Sequence, residues 1–270
     1  MKHRYISDSH THSRCSFDGK DSVCMMCEKA TNMGLYSITI TDHCECNEYY
    51  ENDFYSDMDS SINEIARARA MYNGRIRVYT GIELGQPTQD LKASEEALSL
   101  ADYDFVLGSL HNLKGEQDFY FLEYTPKKAG IYLKKYFDEL LDLVQLNNFD
   151  SLAHMTYPLR YICGNAGIKV EIADYAEKID EILTLLIKNR RALEVNTSGL
   201  RQMIRKTLPD ENIIRRYYEL GGRYITIGSD AHRWGDIGSG IEDGLTLLAK
   251  CGFTHFTVYE KREPHQLPIF

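Results

Sequence analysis

The chain has 270 residues, of which 43% are hydrophobic and 26% charged, both ordinary for a globular protein. A formal net charge of -9 gives it no broad attraction to nucleic acid or anionic lipid, so we predict no partner of either kind. No apolar run approaches the roughly 20 residues of a membrane-spanning helix. Residues 1–6 show no secretory signal, so we predict a cytoplasmic protein.

Short apolar runs alternate with longer helical patterns along the chain. The strand-like runs are residues 5–6, 35–40, 76–82, 105–107, 151–153, 192–195, 224–227 and 253–258. The helical patterns are residues 21–33, 60–73, 92–101, 127–147, 171–190, 210–220 and 240–251. This alternation predicts parallel strands with helical crossovers, and seven or eight such units favour a barrel over an open sheet. Because no linker or repeat divides the chain, we predict one domain over residues 1–270.

Local signals mark several helix ends. Ser61 and Glu64 have the spacing of a capping box, which predicts a helix start near residue 60. Gly34, Gly74 and Gly252 follow helical patterns and predict helix ends.

Two segments, residues 44–59 and 112–126, have neither a helical nor a strand pattern. Each follows the end of a predicted strand, where barrel enzymes carry their functional loops. Both interpretations, a functional loop and a plain surface loop, stay open for each segment.

The cysteines number seven, and an odd number in a chain without a secretory signal argues against a disulfide framework. Cys24 and Cys27 form a C-x-x-C pair, while Cys44 and Cys46 form a C-x-C pair that poorly matches the spacing of a structural zinc site. We interpret them as free thiols, with a zinc knuckle or a redox pair as the alternative.

Six of the nine histidines occupy equivalent places, each just after a strand-like run. They are His10, His12, His43, His111, His154 and His232. Glu83 and Asp230 share this placement, because each ends such a run. In a parallel barrel the carboxyl ends of the strands meet on one face, so we predict that these side chains converge there.

The spacing and types of these residues suit metal binding. His10 and His12 are two residues apart, which puts both imidazoles on the same side of an extended strand, and Asp230 and His232 have the same spacing. Imidazole suits Zn, Fe or Mn, and a carboxylate can bridge two ions. Histidines and carboxylates without thiolate are typical of a catalytic rather than a structural metal site.

Six motifs in chain order resemble the polymerase-and-histidinol-phosphatase (PHP) superfamily over nearly the whole chain. The motifs are Asp8-Ser-His10-Thr-His12, Thr41-Asp42-His43, Gly81-Ile-Glu83, Gly108-Ser-Leu-His111, Ala153-His154 and Gly228-Ser-Asp230-Ala-His232. The resemblance implies an α/β fold, a distorted TIM-barrel-like (β/α)7 barrel, and so sets the number of barrel strands at seven. It also implies three divalent metal ions, which we expect to be Zn, Mn or Fe.

Carried over position by position, the resemblance implies three metal sites. The first has the ligands His10, His12, Glu83 and Asp230. The second has Glu83 as a bridge, with His111 and His154. The third has His43, His232 and, where many relatives have histidine, Asp18. We expect catalysis to depend most on His10, His12, Glu83, Asp230 and His232.

Two further segments resemble the histidinol-phosphatase branch of the superfamily. They are His154-Met-Thr-Tyr-Pro-Leu-Arg160 and Leu193-Glu-Val-Asn196-Thr-Ser198-Gly199-Leu-Arg201. The resemblance implies a small phosphorylated metabolite as substrate, L-histidinol phosphate in histidine biosynthesis, and a metal-bridged hydroxide as nucleophile. Arg160 and Arg201 are predicted to contact the phosphate through their guanidinium forks, with surface salt bridges as the alternative. Asn196 and Ser198 are predicted to help position the substrate.

Other functions remain open on the sequence alone. One is a PHP phosphoesterase that acts on nucleotides or phosphotyrosine. A second is an amidohydrolase, whose barrels also carry H-x-H on the first strand but typically need a carboxylated lysine or another ligand after the fourth, where this chain offers His111. A third, from another class, is a regulatory protein that binds metal without catalysis, although a full set of ligands argues against it. The sequence does not indicate the oligomeric state.

Overall fold

Parallel strands joined by helices form the framework of the protein, as the alternation of apolar runs and helical patterns predicts. The computed structural model describes residues 3–270. The strands are β1 (Ser7–Asp8), β2 (Ser37–Ile40), β3 (His43–Glu45), β4 (Arg77–Gly85), β5 (Phe105–Ser109), β6 (Ser151–Leu152), β7 (Ala192–Asn196), β8 (Ile225–Gly228), β9 (His255–Glu260) and β10 (Glu263–Pro268). The helices are α1 (Val23–Asn32), α2 (Phe54–Met71), α3 (Leu91–Ser99), α4 (Pro126–Leu146), α5 (Ala176–Lys188), α6 (Ser198–Arg201), α7 (Glu211–Glu219) and α8 (Ile241–Lys250).

Seven parallel strands make a nearly closed barrel in the order β1-β2-β4-β5-β6-β7-β8. The short strand β3 continues β2, since both pair with β4 in one unbroken register. A parallel bridge between Thr11 and Ala231 brings the chain after β1 beside the chain after β8. The predicted fold class, a distorted (β/α)7 barrel, is confirmed.

The barrel strands are buried on both faces. Every residue of β5, β7 and β8 is buried, as expected for parallel strands that have helices outside and side chains within the barrel. Helix α4 shows how the helices pack, because Leu133, Phe137 and Leu140 recur at helical spacing and are fully or almost fully buried. The histidines and carboxylates of the six sequence motifs are therefore carried by a framework that is otherwise largely apolar.

The strand predicted at residues 253–258 lies outside the barrel. It corresponds to β9, which pairs antiparallel with β10, a strand that the sequence pattern does not predict. This hairpin covers the amino ends of the barrel strands, where Tyr259 stacks on Phe105 with ring centroids 5.1 Å apart. Arg262 anchors the hairpin there, with its Nε 3.0 Å from Asp150 Oδ2.

Helix α2 begins earlier than predicted. It starts at Phe54, so the capping box predicted at Ser61 is wrong: Ser61 lies inside the helix and donates a hydrogen bond to Asp42. Asp53 precedes the helix with a left-handed backbone (φ 52°) and makes no side-chain capping bond, so the usual start signal is absent. Residues 44–59, which show no pattern in the sequence, therefore include most of β3 and the first part of α2.

Other expectations agree with the structure. Gly34, Gly74 and Gly252 lie just beyond α1, α2 and α8 with positive φ. Residues 112–126 are largely irregular, apart from a short 3-10 turn at Phe119–Phe121. All seven cysteines lie within the described residues and are free thiols. Among residues 3–270, none of the helices combines the length and the apolar character needed to span a bilayer.

Candidate metal centre

Glu83, on β4, lies between two pairs of histidines at the carboxyl end of the barrel. Its Oε1 atom is 2.8 Å from His154 Nε2 and 3.2 Å from His111 Nε2. Its Oε2 atom is 3.4 Å from His10 Nε2 and 3.5 Å from His12 Nε2. Each carboxylate oxygen thus faces a different pair of imidazole nitrogens, and Oε2 also has His43 Nδ1 at 3.0 Å. A carboxylate with nitrogens around both oxygens can bridge two ions.

The four residues predicted for the first metal site lie together. His10 Nε2 and His12 Nε2 are 2.9 Å apart. Asp230 completes the set, because its Oδ1 atom is 3.5 Å from His12 Nε2 and 3.9 Å from His10 Nε2. With Glu83 Oε2 on the remaining side, two nitrogens and two oxygens surround a small buried volume.

The residues predicted for the third site also meet, at the mouth of the barrel. Asp18 approaches both histidines, with its Oδ2 3.0 Å from His232 Nε2 and its Oδ1 3.7 Å from His43 Nε2. The ligand atoms of His12, His43 and His232 lie within 4.8 Å of one another. The loop that replaces the usual histidine by Asp18 therefore still delivers an oxygen to this place.

Buried atoms without hydrogen-bond partners show that these residues fit divalent ions. Glu83 Oε2 and Asp18 Oδ1 are both buried and have no hydrogen-bond partner among the described residues. Although His43 Nδ1 comes within 3.0 Å of Glu83 Oε2, the contact lacks hydrogen-bond geometry. Leaving a buried charged oxygen unsatisfied is costly, and a bound cation removes that cost.

Glu194, on β7, supports two of the histidines from behind. Its Oε1 atom is 2.6 Å from His10 Nδ1, and its Oε2 atom accepts a hydrogen bond from the His154 backbone N–H at 2.7 Å. The first contact keeps a proton on His10 Nδ1, so the Nε2 lone pair faces His12 and is free for a metal. The hydrogen bond to the His154 N–H helps to hold this residue in a backbone conformation with φ +21°, which is uncommon for a residue other than glycine.

Glu45, at the end of β3, plays the equivalent part for His111. Its Oε1 atom is 2.9 Å from His111 Nδ1, while Gln86 Nε2 donates to its Oε2 at 2.6 Å. Sequence reasoning missed Glu45 and Glu194 as site residues. The available signals were a carboxylate within the apolar run Leu193-Glu194-Val195 and a carboxylate two residues after the predicted ligand His43, at Glu45.

The carboxylates at the centre are held in their ionised form. Burial raises the pKa of Glu83, but the nearby His10 and His111 outweigh it and hold the pKa well below its usual value. Burial likewise raises the pKa of Asp230, but His10, His12 and Arg160 act together with His232 to hold that pKa well below its usual value. Deprotonated carboxylates are the form that binds metal.

Gly228, the last residue of β8, leaves the space that His10 occupies. An added Cβ would collide with His10 Cβ and would lie 2.8 Å from Glu194 Oε1. We expect Gly228→Ala to displace His10, to weaken metal binding and to lower the free energy of unfolding by about 1–3 kcal/mol, measured by metal titration and urea denaturation. Wild-type metal affinity in this variant would contradict the prediction.

Gly130 provides the matched control for this substitution. It lies on the exposed side of α4, and no atom lies within 4 Å of an added Cβ. Gly130→Ala should leave metal binding unchanged and raise the free energy of unfolding by about 0.5–1 kcal/mol, because alanine favours a helix.

A cleft of about 310 Å³ opens above the centre, and Arg160 lines it. Arg160 Nη2 donates to Asp230 Oδ2 at 2.9 Å and to Ser198 Oγ at 2.8 Å. Ser198 and Asn196 do not line the cleft; they are buried behind Arg160, where Asn196 Oδ1 accepts from Ser198. The structure therefore places them where they orient Arg160 and Asp230, rather than along the cleft wall.

Arg201 also lines the cleft, but its guanidinium already donates hydrogen bonds to backbone carbonyl oxygens. Its Nη1 donates to Ser229 O and its Nη2 to Asp230 O, both at 2.7 Å. Its Nε is 3.7 Å from Asp236 Oδ2. These contacts hold the turn that carries Asp230, whose backbone has a positive φ of 54°.

Comparison with known families agrees with this geometry. The model of the PHP domain matches residues 8–198, which contain strands β2 to β7 and all but two of the predicted ligands. The chain belongs to the PHP family.

Relatives within the family match almost from end to end. The probable histidinol-phosphatase of Clostridium acetobutylicum is 30% identical and covers 95% of this chain and 98% of its own length. That of Thermotoga maritima is 31% identical and covers 94% and 96%. Among solved structures, a histidinol phosphate phosphatase from Lactococcus lactis, described in complex with Zn, L-histidinol and phosphate, has the same fold with a TM-score of 0.76 at 24% identity, covering 96% of this chain and 98% of its own.

Proposed function

We propose that this protein is a metal-dependent phosphomonoesterase that hydrolyses L-histidinol phosphate to L-histidinol and phosphate. The observation that carries the proposal is Glu83, whose two oxygens face separate histidine pairs at the carboxyl end of the barrel. PHP relatives that are about 30% identical over more than nine tenths of the chain, and that are named as histidinol-phosphatases, support the choice of substrate.

We propose that the nine predicted ligands hold three divalent ions, Zn, Mn or Fe. Bound ions would supply positive charge for the phosphoryl oxygens and would activate water for attack on phosphorus. This explains how an acidic protein attracts an anionic substrate, because the positive charge is local to the cleft. The chain's own part is to keep the ligands aligned, which Glu194 and Glu45 do for His10 and His111 through the hydrogen bonds to their Nδ1 atoms.

Arg160 is our proposed phosphate ligand. Its Nη2 atom is anchored by Ser198 and Asp230, and its guanidinium lies 5.0 Å from the centre of the Tyr157 ring. Its Nε atom is buried and has no hydrogen-bond partner among residues 3–270. A phosphate oxygen in the cleft would satisfy this donor with a charge-assisted hydrogen bond.

Removal of metal tests the proposal. Exhaustive chelation should abolish phosphate release from L-histidinol phosphate, and addition of Zn or Mn should restore it, because the proposed nucleophile is a water that bound metal activates. Phosphate release is measured on samples whose metal content is determined in parallel. Chelator that has been saturated with Zn beforehand is the control for effects of the chelator itself.

The substrate is tested separately, by comparing L-histidinol phosphate with phosphotyrosine and a nucleoside monophosphate at equal concentration. We expect the highest kcat/KM for L-histidinol phosphate. Normal turnover by metal-free protein would contradict the metal mechanism, and a preference for either of the other esters would contradict the substrate.

A further inference from the structure

One carboxylate in the cleft, that of Asp118, has no basic partner. The other cleft carboxylates face histidine or arginine: Asp236, for example, lies 2.9 Å from Arg233 Nε and 3.7 Å from Arg201 Nε. For Asp118, no Lys, Arg or His nitrogen of the described residues 3–270 comes within 4.0 Å of the carboxylate. Asp118 nevertheless lines the same cleft as the proposed metal ligands.

The Asp118 carboxylate is held rigidly by neutral donors. The Tyr157 hydroxyl is 3.2 Å from each of its oxygens, and the Tyr120 backbone N–H donates to Oδ1 at 2.6 Å. The Tyr157 hydroxyl is also 3.0 Å from the Tyr161 hydroxyl. These contacts orient the carboxylate but leave its negative charge without a cation.

Tyr157 lies between Asp118 and the predicted metal ligands. Its ring lies 5.0 Å from the rings of both His111 and His154, while its hydroxyl contacts Asp118. The acidic group is therefore about one tyrosine side chain away from the metal ligands. In L-histidinol phosphate a few covalent bonds separate the phosphate from an ammonium group and an imidazole, a separation of the same order as a tyrosine side chain.

We propose that Asp118 binds the cationic part of the substrate's alcohol and that the enzyme selects phosphomonoesters whose alcohol carries a protonated amine or imidazole. This inference rests on the proposed phosphomonoesterase function and adds a basis for its specificity. A cationic alcohol would pair with the carboxylate through charge-assisted hydrogen bonds. An ester without a cation would fill the same space and leave this charge unpaired, and a site of that kind rejects such analogues strongly.

The test compares L-histidinol phosphate with phenyl phosphate, whose alcohol is uncharged. We expect Asp118→Asn to lower the ratio of the two kcat/KM values, L-histidinol phosphate over phenyl phosphate, by roughly tenfold or more. Asparagine can still accept from Tyr157 and from the Tyr120 N–H, so the loop should fold as before. Inhibition by the two products gives a second reading: the Ki of L-histidinol should rise relative to the Ki of phosphate by a similar factor.

Glu116→Gln is the matched control, since it removes one negative charge from the same loop at an exposed residue outside the cleft. Its ratio of kcat/KM values should equal that of the wild type. An unchanged ratio in Asp118→Asn, or an equal fall in Glu116→Gln, would overturn the inference. A wild-type enzyme that hydrolyses phenyl phosphate but not L-histidinol phosphate would instead contradict the proposed substrate, so the two failures are distinguishable.

Discussion

Replacing Glu83 by glutamine should remove most of the bound metal and should lower phosphate release on the order of a thousandfold. A glutamine side chain has one acceptor oxygen and one NH₂ group, so one histidine pair would face a donor instead of a carboxylate oxygen. The substitution also removes the buried negative charge that the two pairs share. Metal content by elemental analysis and phosphate release should be measured on the same purified sample.

Glu219→Gln is the control for this variant, because it makes the same chemical change on the exposed surface of α7. It should keep the metal and the activity of the wild type. Circular dichroism should show that both variants are folded. A Glu83→Gln protein with a full complement of metal and normal turnover would exclude Glu83 as the bridge.

The second large effect is expected from Glu194→Gln, which alters no predicted ligand. Glutamate accepts from His10 Nδ1–H and from the His154 backbone N–H with separate oxygens. Glutamine can satisfy only one of them, so the other would face an NH₂ group. Because outer contacts of this kind orient metal-binding histidines, we expect metal affinity to fall about 10- to 100-fold, measured by competition with a chelating dye.

A structural effect must be separated from a positioning effect in this experiment. Asp150→Asn is a suitable comparison, since Asp150 is buried at the opposite end of the barrel and binds Arg262. It should lower the free energy of unfolding while leaving metal affinity as in the wild type. Nitrogen-15 NMR of the histidines provides a direct reading, because the proton on His10 Nδ1 should be lost or shifted in Glu194→Gln only. Equal losses of metal affinity in both variants would contradict the positioning role.

The sequence predicts the barrel and the convergence of the six histidines well, because both follow from local periodicity and from the order of the motifs. It predicts less where the partner of a residue is set by the fold. The run at residues 253–258 reads as another barrel strand, since alternation does not encode its partner, and it is in fact β9 of a hairpin. The start of α2 at Phe54 is missed because it lies in residues 44–59, where the sequence shows no helical pattern.

The missed site residues have the same physical explanation. In the sequence Glu194 looks like an isolated acidic residue in a strand, and Glu45 belongs to a segment without a pattern. Only the assembled barrel brings them to His10 and His111. Asp118 lies in an irregular segment, residues 112–126, for which both a functional loop and a plain loop are compatible with the sequence. Its contact with Tyr157 and its place in the cleft become visible only in three dimensions.

The proposed metal centre lies where the barrel closes between β1 and β8, so it also bears on the stability of the fold. The chain beyond these strands is held together by the bridge between Thr11 and Ala231 and by the hydrogen bond from Asp230 N to His10 O, at 2.8 Å. An ion bound by His10 and Asp230 would join the same two segments, which lie near opposite ends of the sequence, and so would act like a cross-link that closes a very long loop. Such an ion would bind the closed barrel and not the open chain, so we expect the supply of metal to set how readily this seam opens.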